Sequence, residues 1–280
     1  MNENYLKKYM KNLLIAIRRI HLEDIIHRDI KPPNFLHKFG TDNFLLIDFG
    51  LSQKLDELKK LSCKRKNFRK IKNFDKAAKI SKTDSVSSKS GISSLKTAFS
   101  SSFRSGQNEK KIENPTSVPF HILKRRLFEK KREKLDQLPQ VSRCGTRGFR
   151  PPEVLLRTTK QTKAIDMWAV GVIMLSIVTR QYPVFYSPDD LTAMAEQICI
   201  FGNSYLDVAK KIYEDRKIEM NFETSEYCLT DLCRKLFKKN SSENERFWSE
   251  KTLDLLEKLL ELDFSKRITA EEALNHDFFK

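Results

Sequence analysis

Two short stretches carry side chains whose types and spacing suit one kind of chemistry. The first is His27-Arg28-Asp29-Ile30-Lys31-Pro32-Pro33-Asn34, and the second is Asp48-Phe49-Gly50. A carboxylate at Asp29 can orient a hydroxyl nucleophile and accept its proton. Lys31, two residues on, can reach the same point and neutralise charge on a transferring phosphate. Asn34 and Asp48 offer two hard oxygen ligands from neighbouring segments, which suits Mg²⁺. An isolated Asp-Phe-Gly is usually no more than a turn. Five fixed positions in one window, at roughly one in twenty each, would arise by chance about once in ten thousand chains of this length. Together the two stretches point to phosphoryl transfer.

Several elements must position these residues. Leu6, Met10, Leu13, Ile17 and Ile20 recur at helical spacing, with Lys8, Lys11, Arg18 and Arg19 off that stripe, which predicts an amphipathic helix from about Asn4 to Leu22. Two extended stretches, Phe35–Lys38 and Phe44–Ile47, follow around a Gly40–Asn43 turn. Ile165–Thr179 is apolar on most sides and reads as a buried helix, and Lys251–Leu262 as a leucine-rich one. Thr269 followed by Glu272 has the spacing of a capping box that opens a last helix. Glu219–Glu250 reads as polar and irregular, a small insertion.

The charge is concentrated in one place. Of the net +16, Ser52–Ser142 holds a surplus of 15, from 24 Lys and Arg against 9 Asp and Glu, and the rest of the chain is close to neutral. That segment is rich in serine from Ser81 to Ser105 and poor in apolar residues, so it buries too little surface to offset the entropy of ordering and is expected to be a largely disordered insertion. Its clusters, Lys64-Arg65-Lys66, Lys124-Arg125-Arg126 and Lys130-Lys131-Arg132, fit a solvated linker, a nuclear-import signal or a phosphate-backbone contact. Phe68, Phe74, Phe99 and Phe103 within it are too isolated for base stacking, and any nucleic-acid contact is expected only through this basic segment. The longest early apolar run, Leu13–Ile17, is far short of a membrane span, and no small-residue cleavage site follows it. Glu3, Glu23 and Asp24 argue against a mitochondrial presequence. The five cysteines are scattered and odd in number, with no zinc-ligand spacing, which disfavours a disulfide framework or a structural zinc. These features lead to the expectation of a soluble intracellular protein without a membrane partner.

The catalytic stretch and the Asp-Phe-Gly motif resemble those of eukaryotic protein kinases. Gly145-Thr146 and Pro151-Pro152-Glu153 resemble the substrate-binding loop and the Ala-Pro-Glu motif, with Pro151 in place of Ala. Asp166-Met167-Trp168-Ala169-Val170-Gly171 is similar to the buried helix whose aspartate holds the catalytic-loop backbone. The resemblance implies that Arg267 pairs with Glu153, that His27 and Phe49 stack in the hydrophobic spine, and that Thr146 bonds Asp29 and Lys31. It implies ATP and Mg²⁺, with Lys31, Asn34 and Asp48 at the cofactor. It also implies an α+β kinase-like fold: a mainly helical C-terminal lobe in two parts, 1–51 and 143–280, with a short hairpin at the catalytic loop.

Asn34-Phe35-Leu36 is similar to casein-kinase-one-like and cell-division-cycle-seven-like kinases, and the Pro-Pro-Glu motif disfavours the former. Gly145–Leu155, Thr162–Met167, Tyr182-Pro183 and Asp189–Ala193 look like the latter, although Arg147 replaces that family's usual proline. That resemblance implies a nuclear Ser/Thr kinase acting on the MCM helicase with a Dbf-type activator subunit, and a place in the cytoplasm as a further expectation. Arg143, Arg147 and Arg150 around the substrate loop favour acidic or phosphorylated neighbours in the substrate, and Arg28 could serve the same field; the alternative is that one or two of them pair with acidic groups of the fold. Ser142 is a candidate phosphorylation site.

The 26 residues before His27 form one amphipathic helix, none of the eight glycines lies in Gly-x-Gly-x-x-Gly, and no upstream lysine sits in a Val-Ala-x-Lys strand. The resemblance therefore covers about 190 residues of a C-terminal lobe without its ATP lid. This chain is expected to be an N-terminally truncated kinase, with a catalytically inactive binding module or decoy as the alternative. Apolar surface around Leu36 and Phe49 is expected to be exposed, which favours aggregation.

Overall fold

The computed structural model describes residues 2–38, 40–57, 145–158, 161–212, 228–241 and 247–280. Most of the expected basic insertion, with Ser142 and Arg143, lies outside these residues, as do 213–227 and 242–246.

The first helix, α1, spans Glu3–Leu22 and buries Leu6, Met10, Leu13 and Ile17 of the expected stripe, with Leu14 and His21 added and Ile20 only partly buried. Asn2 caps it, its side-chain oxygen accepting from the Tyr5 N–H at 2.9 Å. After it come the two-residue strand β1 (Ile25–Ile26), the catalytic stretch, and the strands β2 (Phe35–His37) and β3 (Phe44–Leu46). β2 and β3 pair antiparallel, Phe35 opposite Leu46 and His37 opposite Phe44. Aromatic packing pins this hairpin to α1: Tyr9 meets Phe35 edge-on at 5.2 Å between ring centroids, and Phe35 stacks on Phe44 at 5.5 Å. Beyond Asp48 the strand β4 (Gln53–Lys54) returns to pair antiparallel with β1, Ile26 opposite Gln53.

The second part of the chain is helical. Helix α2 is the short turn Pro152–Leu155, and α3 runs Ala164–Thr179. Every residue of α3 from Ile165 to Thr179 except Ile177 is buried, because α1, α5 (Leu229–Asn240) and α6 (Glu250–Leu259) pack around it. In chain order α3 is followed by α4 (Asp190–Ile212), two helical stretches joined across Gly202, whose φ of 56° and ψ of −136° break the helical geometry, and α4 packs against α2 and α5. The last helix, α7 (Ala270–Leu274), packs on α1. It opens on the expected capping box: the Thr269 N–H donates to Glu272 Oε2 at 2.8 Å, and the Glu272 N–H donates to Thr269 Oγ1 at 3.3 Å.

One expectation differs from the structure. Within the stretch read as irregular, residues 229–240 form α5, which buries Leu229, Cys233 and Phe237 against the core. Its polar composition comes from the outward face, Asp231, Arg234, Lys235, Lys238 and Lys239 being exposed. The helical periodicity was present in the sequence, Leu229, Leu232, Cys233, Leu236 and Phe237 recurring at i, i+3, i+4, i+7 and i+8, and the polar residues between them led to the irregular reading. Leu36, Leu45, Phe49 and Leu51 are exposed, as expected for the surface near the metal motif.

Gly171 lets α3 pack closely against Leu259 and Leu260. A Cβ there would lie 2.7 Å from Leu260 Cδ2 and 3.1 Å from Leu259 Cβ. Gly171→Ala is expected to lose about 1–2 kcal/mol, the overpacking cost exceeding the helix-propensity gain. A denaturant midpoint that stays level or rises in the variant would contradict this.

Candidate active site

The catalytic stretch is held from below by one carboxylate. Asp166, fully buried in the first turn of α3, accepts from the backbone N–H of His27 and of Arg28, each at 2.8 Å, and lies 2.9 Å from His21 Nε2 on α1. Arg28 is thereby fixed with φ of 71° in the left-handed region, which orients the next residue, Asp29. His27 secures the other side: its Nε2 lies 3.0 Å from the Ile47 carbonyl, and its ring packs at 4.8 Å on Phe49. The Asn34 carbonyl accepts from the Ile47 N–H at 2.9 Å, so the two motifs are stitched together.

Asp29 is the focus. Thr146 donates to its Oδ1 from both backbone N–H and Oγ1 at 2.8 Å, and Lys31 Nζ lies 2.7 Å from its Oδ2 and 3.0 Å from Thr146 Oγ1. Asn34 donates from Nδ2 to the Asp29 carbonyl at 2.9 Å and to Oδ2 at 3.3 Å. Burial pushes the Asp29 carboxyl up, but the hydrogen bonds from Lys31 and Thr146, with the Lys31 charge, outweigh it and hold the group below its ordinary value. It is a carboxylate at neutral pH. Gly145 is required for this meeting, because at φ of 90° a Cβ would come within 2.5 Å of the Arg28 carbonyl oxygen.

Asp48 sits in the left-handed region at φ of 66° and ψ of 70°, its Oδ1 accepting from the Gly50 N–H at 3.3 Å. The Asn34 amide nitrogen is engaged by Asp29, which turns its oxygen the other way. Asn34 and Asp48 thus supply one amide and one carboxylate oxygen. Among the described residues there is no cluster of three His, Cys, Asp or Glu that could hold a metal. A sparse set of oxygen donors fits Mg²⁺, which keeps several waters and shares substrate phosphates rather than occupying a protein cage.

Glu153 in α2 and Arg267 form a bidentate pair, both side chains fully buried, at 2.7 and 3.1 Å. Arg267 also donates to the carbonyls of Glu261 and Ala164 at 2.8 Å and lies over the Trp168 ring. Arg150 turns inward, donating to the Gly145 carbonyl at 2.9 Å and to the Asp190 carboxylate, so its charge is used within the fold. Arg147 is exposed and donates to the Pro188 carbonyl. Arg28 is buried at 6% exposure, its guanidinium donating to the side-chain oxygens of Gln53 and Gln161. His21, Gln53 and Gln161 were not singled out by sequence reasoning. His21 falls among apolar helix positions, and the two glutamines have no signal of spacing or charge.

Two consequences are measurable. The depressed Asp29 value stabilises the fold above the unfolded carboxyl range of about 4, a contribution lost as pH falls through the folded value. Lys31→Met is expected to raise the Asp29 titration midpoint in carboxyl-carbon NMR, and an unmoved midpoint would refute the ion pair. Arg267→Met is expected to cost about 3–5 kcal/mol by stranding Glu153, with much of it recovered when Glu153→Leu is added. Equal losses from the single and double variants, read by denaturant unfolding, would contradict this.

Comparison with known proteins agrees with this geometry. The family model described as protein kinase domain matches residues 1–90 and 127–279. The chain is 33% identical over 277 residues to a probable cell division control protein 7 homolog of Encephalitozoon cuniculi, covering 98% of this chain and 65% of that protein. It is 34% identical over 285 residues to the cell cycle serine/threonine-protein kinase hsk1 of Schizosaccharomyces pombe, covering 96% and 47%. Similarity to a probable serine/threonine-protein kinase cdc7 of Dictyostelium discoideum is 34% over 337 residues, covering 99% and 31%. The chain thus spans between about a third and two thirds of the length of these relatives. With the family model matched over most of its length, the chain belongs to the protein kinase family.

Proposed function

We propose that the protein to which these residues belong is a Ser/Thr protein kinase of the cell-division-cycle-seven type, acting in the nucleus in the control of replication initiation. The observation that carries the reading is the Asp29 carboxylate, held ionised by Lys31 and Thr146 at the mouth of the substrate loop. In the reaction a protein serine or threonine Oγ forms a bond to the γ-phosphorus of ATP, the bond from that phosphorus to the β,γ-bridging oxygen breaks, and ADP leaves. Asp29 orients the hydroxyl and takes its proton; Lys31 lies beside it to neutralise charge on the transferred phosphoryl group. Asn34 and Asp48 would hold Mg²⁺, which supplies neutralisation of the phosphate charge. Relatives named for the cell cycle and cell division support the biological setting. The motif resemblance of the sequence, rather than the relatives' names, leads us to propose an MCM helicase subunit as substrate and a Dbf-type activator as partner. Arg147, exposed and bonded to a neutral carbonyl, keeps its charge and supports a preference for acidic substrate segments.

A second reading, a non-catalytic binding module, is favoured by one feature: these 280 residues contain no Gly-x-Gly-x-x-Gly and no Val-Ala-x-Lys lysine. The two separate by assay. The 280 residues alone are expected to show no appreciable ATP turnover, whereas the protein carrying them together with a glycine-rich loop phosphorylates an acidic MCM tail and loses at least about a thousandfold of that activity as Asp29→Asn. Full activity of Asp29→Asn would overturn the kinase reading, and robust phosphorylation by the 280 residues alone would show that no further segment is needed.

A further inference from the structure

Arg28 precedes the catalytic carboxylate, and its conformation decides where Asp29 points. Its backbone holds φ of 71°, a region in which a side-chain-bearing residue stays only when the surroundings enforce it. Asp166 grips the backbone N–H, and the carbonyl lies against Gly145. The far end of the side chain is gripped as well. Nη1 donates to Gln53 Oε1 at 2.6 Å and Nη2 donates to Gln161 Oε1 at 2.8 Å. A guanidinium has only donors, so the amide oxygens, not the nitrogens, must face it.

These two glutamines come from different directions. Gln53 is on β4, opposite Ile26 of β1, just beyond the Asp48 motif. Gln161, at 5% exposure, lies in the segment that leads into α3 and Asp166. The Arg28 side chain therefore bridges the strand that leaves the metal motif and the connection that leaves the substrate loop. The Arg28 backbone is thus held by Asp166 and its guanidinium by two amide oxygens, within buried surroundings.

Building on the kinase reading above, we propose that Gln53 and Gln161 are positioning residues for the phosphoryl-transfer step, acting through Arg28 to aim Asp29. Neither touches the reacting atoms. They transmit the placement of β4 and of the α3 entry to the catalytic carboxylate, so that Asp29 is aligned only when both segments are seated.

The test compares Gln161→Leu, Gln161→Glu and Gln53→Leu with a parent protein that carries these residues and shows kinase activity. The expected result is that kcat falls about tenfold or more in each leucine variant, the scale for losing a hydrogen bond to a charged group, with KM for ATP unchanged. Gln161→Glu, which retains an oxygen acceptor, recovers most of kcat. Thermal unfolding of each variant separates positioning from folding, and Gln53, on a two-residue strand, serves where Gln161→Leu fails to fold. Parent-like kcat in a folded leucine variant, or no recovery with Gln161→Glu, would overturn the proposal. Asp29→Asn run alongside distinguishes the two readings: if it too keeps full activity, the kinase assignment itself falls; if it is inactive while the leucine variants are unimpaired, only the glutamine assignment falls.

Discussion

A fully buried carboxylate is unstable unless hydrogen-bond donors surround it, and Asp166 meets that condition by drawing in two backbone N–H groups and a histidine. The geometry of the catalytic loop is the consequence. His27 and Arg28 are where they are because Asp166 needs their donors, and Asp29 follows in the chain. The carboxylate itself is placed by α3, whose buried flanks are covered by α1, α5 and α6. Hydrophobic packing around that helix is thus converted into the position of one ionised group, and that group into the position of the next.

The same device recurs at the other end of the substrate loop. Glu153 and Arg267 are both removed from water, and a bidentate bond, two carbonyls and the face of Trp168 surround the arginine. Between these two buried knots the loop from Gly145 to Arg150 is stretched across Asp29. The partners are far apart in the chain: 117 residues separate Asp29 from Thr146 and 114 separate Glu153 from Arg267. Loop-closure entropy grows only logarithmically, each doubling of length costing about 0.6 kcal/mol, so a long insertion ahead of the substrate loop is compatible with a closed site.

Much of this was legible in the sequence where the signal is local. The stripe of α1, the two strands at Phe35 and Phe44, the apolar run of α3 and the capping box at Thr269 each express a periodicity or a short-range hydrogen bond within a few residues. Asp29, Lys31, Asn34 and Asp48 were legible for a different reason: residue types that suit phosphoryl transfer stand at fixed spacing. Helix α5 was legible too, in five apolar residues from Leu229 to Phe237 at helical spacing, but the charged residues between them and the polar sequence on either side led to its being read as irregular.

What the sequence by itself determined is the inventory: which groups can ionise, donate or ligate, and which segments have an apolar face. Tertiary structure decided which of those groups meet. Arg28 and Arg150 have the same charge as Arg147, yet burial turns the first onto two glutamines and the second onto Asp190, leaving Arg147 alone of the three exposed. His21, Gln53 and Gln161 gained roles only through neighbours distant in the chain. The physical reason is that a polar group's role depends on whether water or a protein partner satisfies it, and that choice is made when the segments pack.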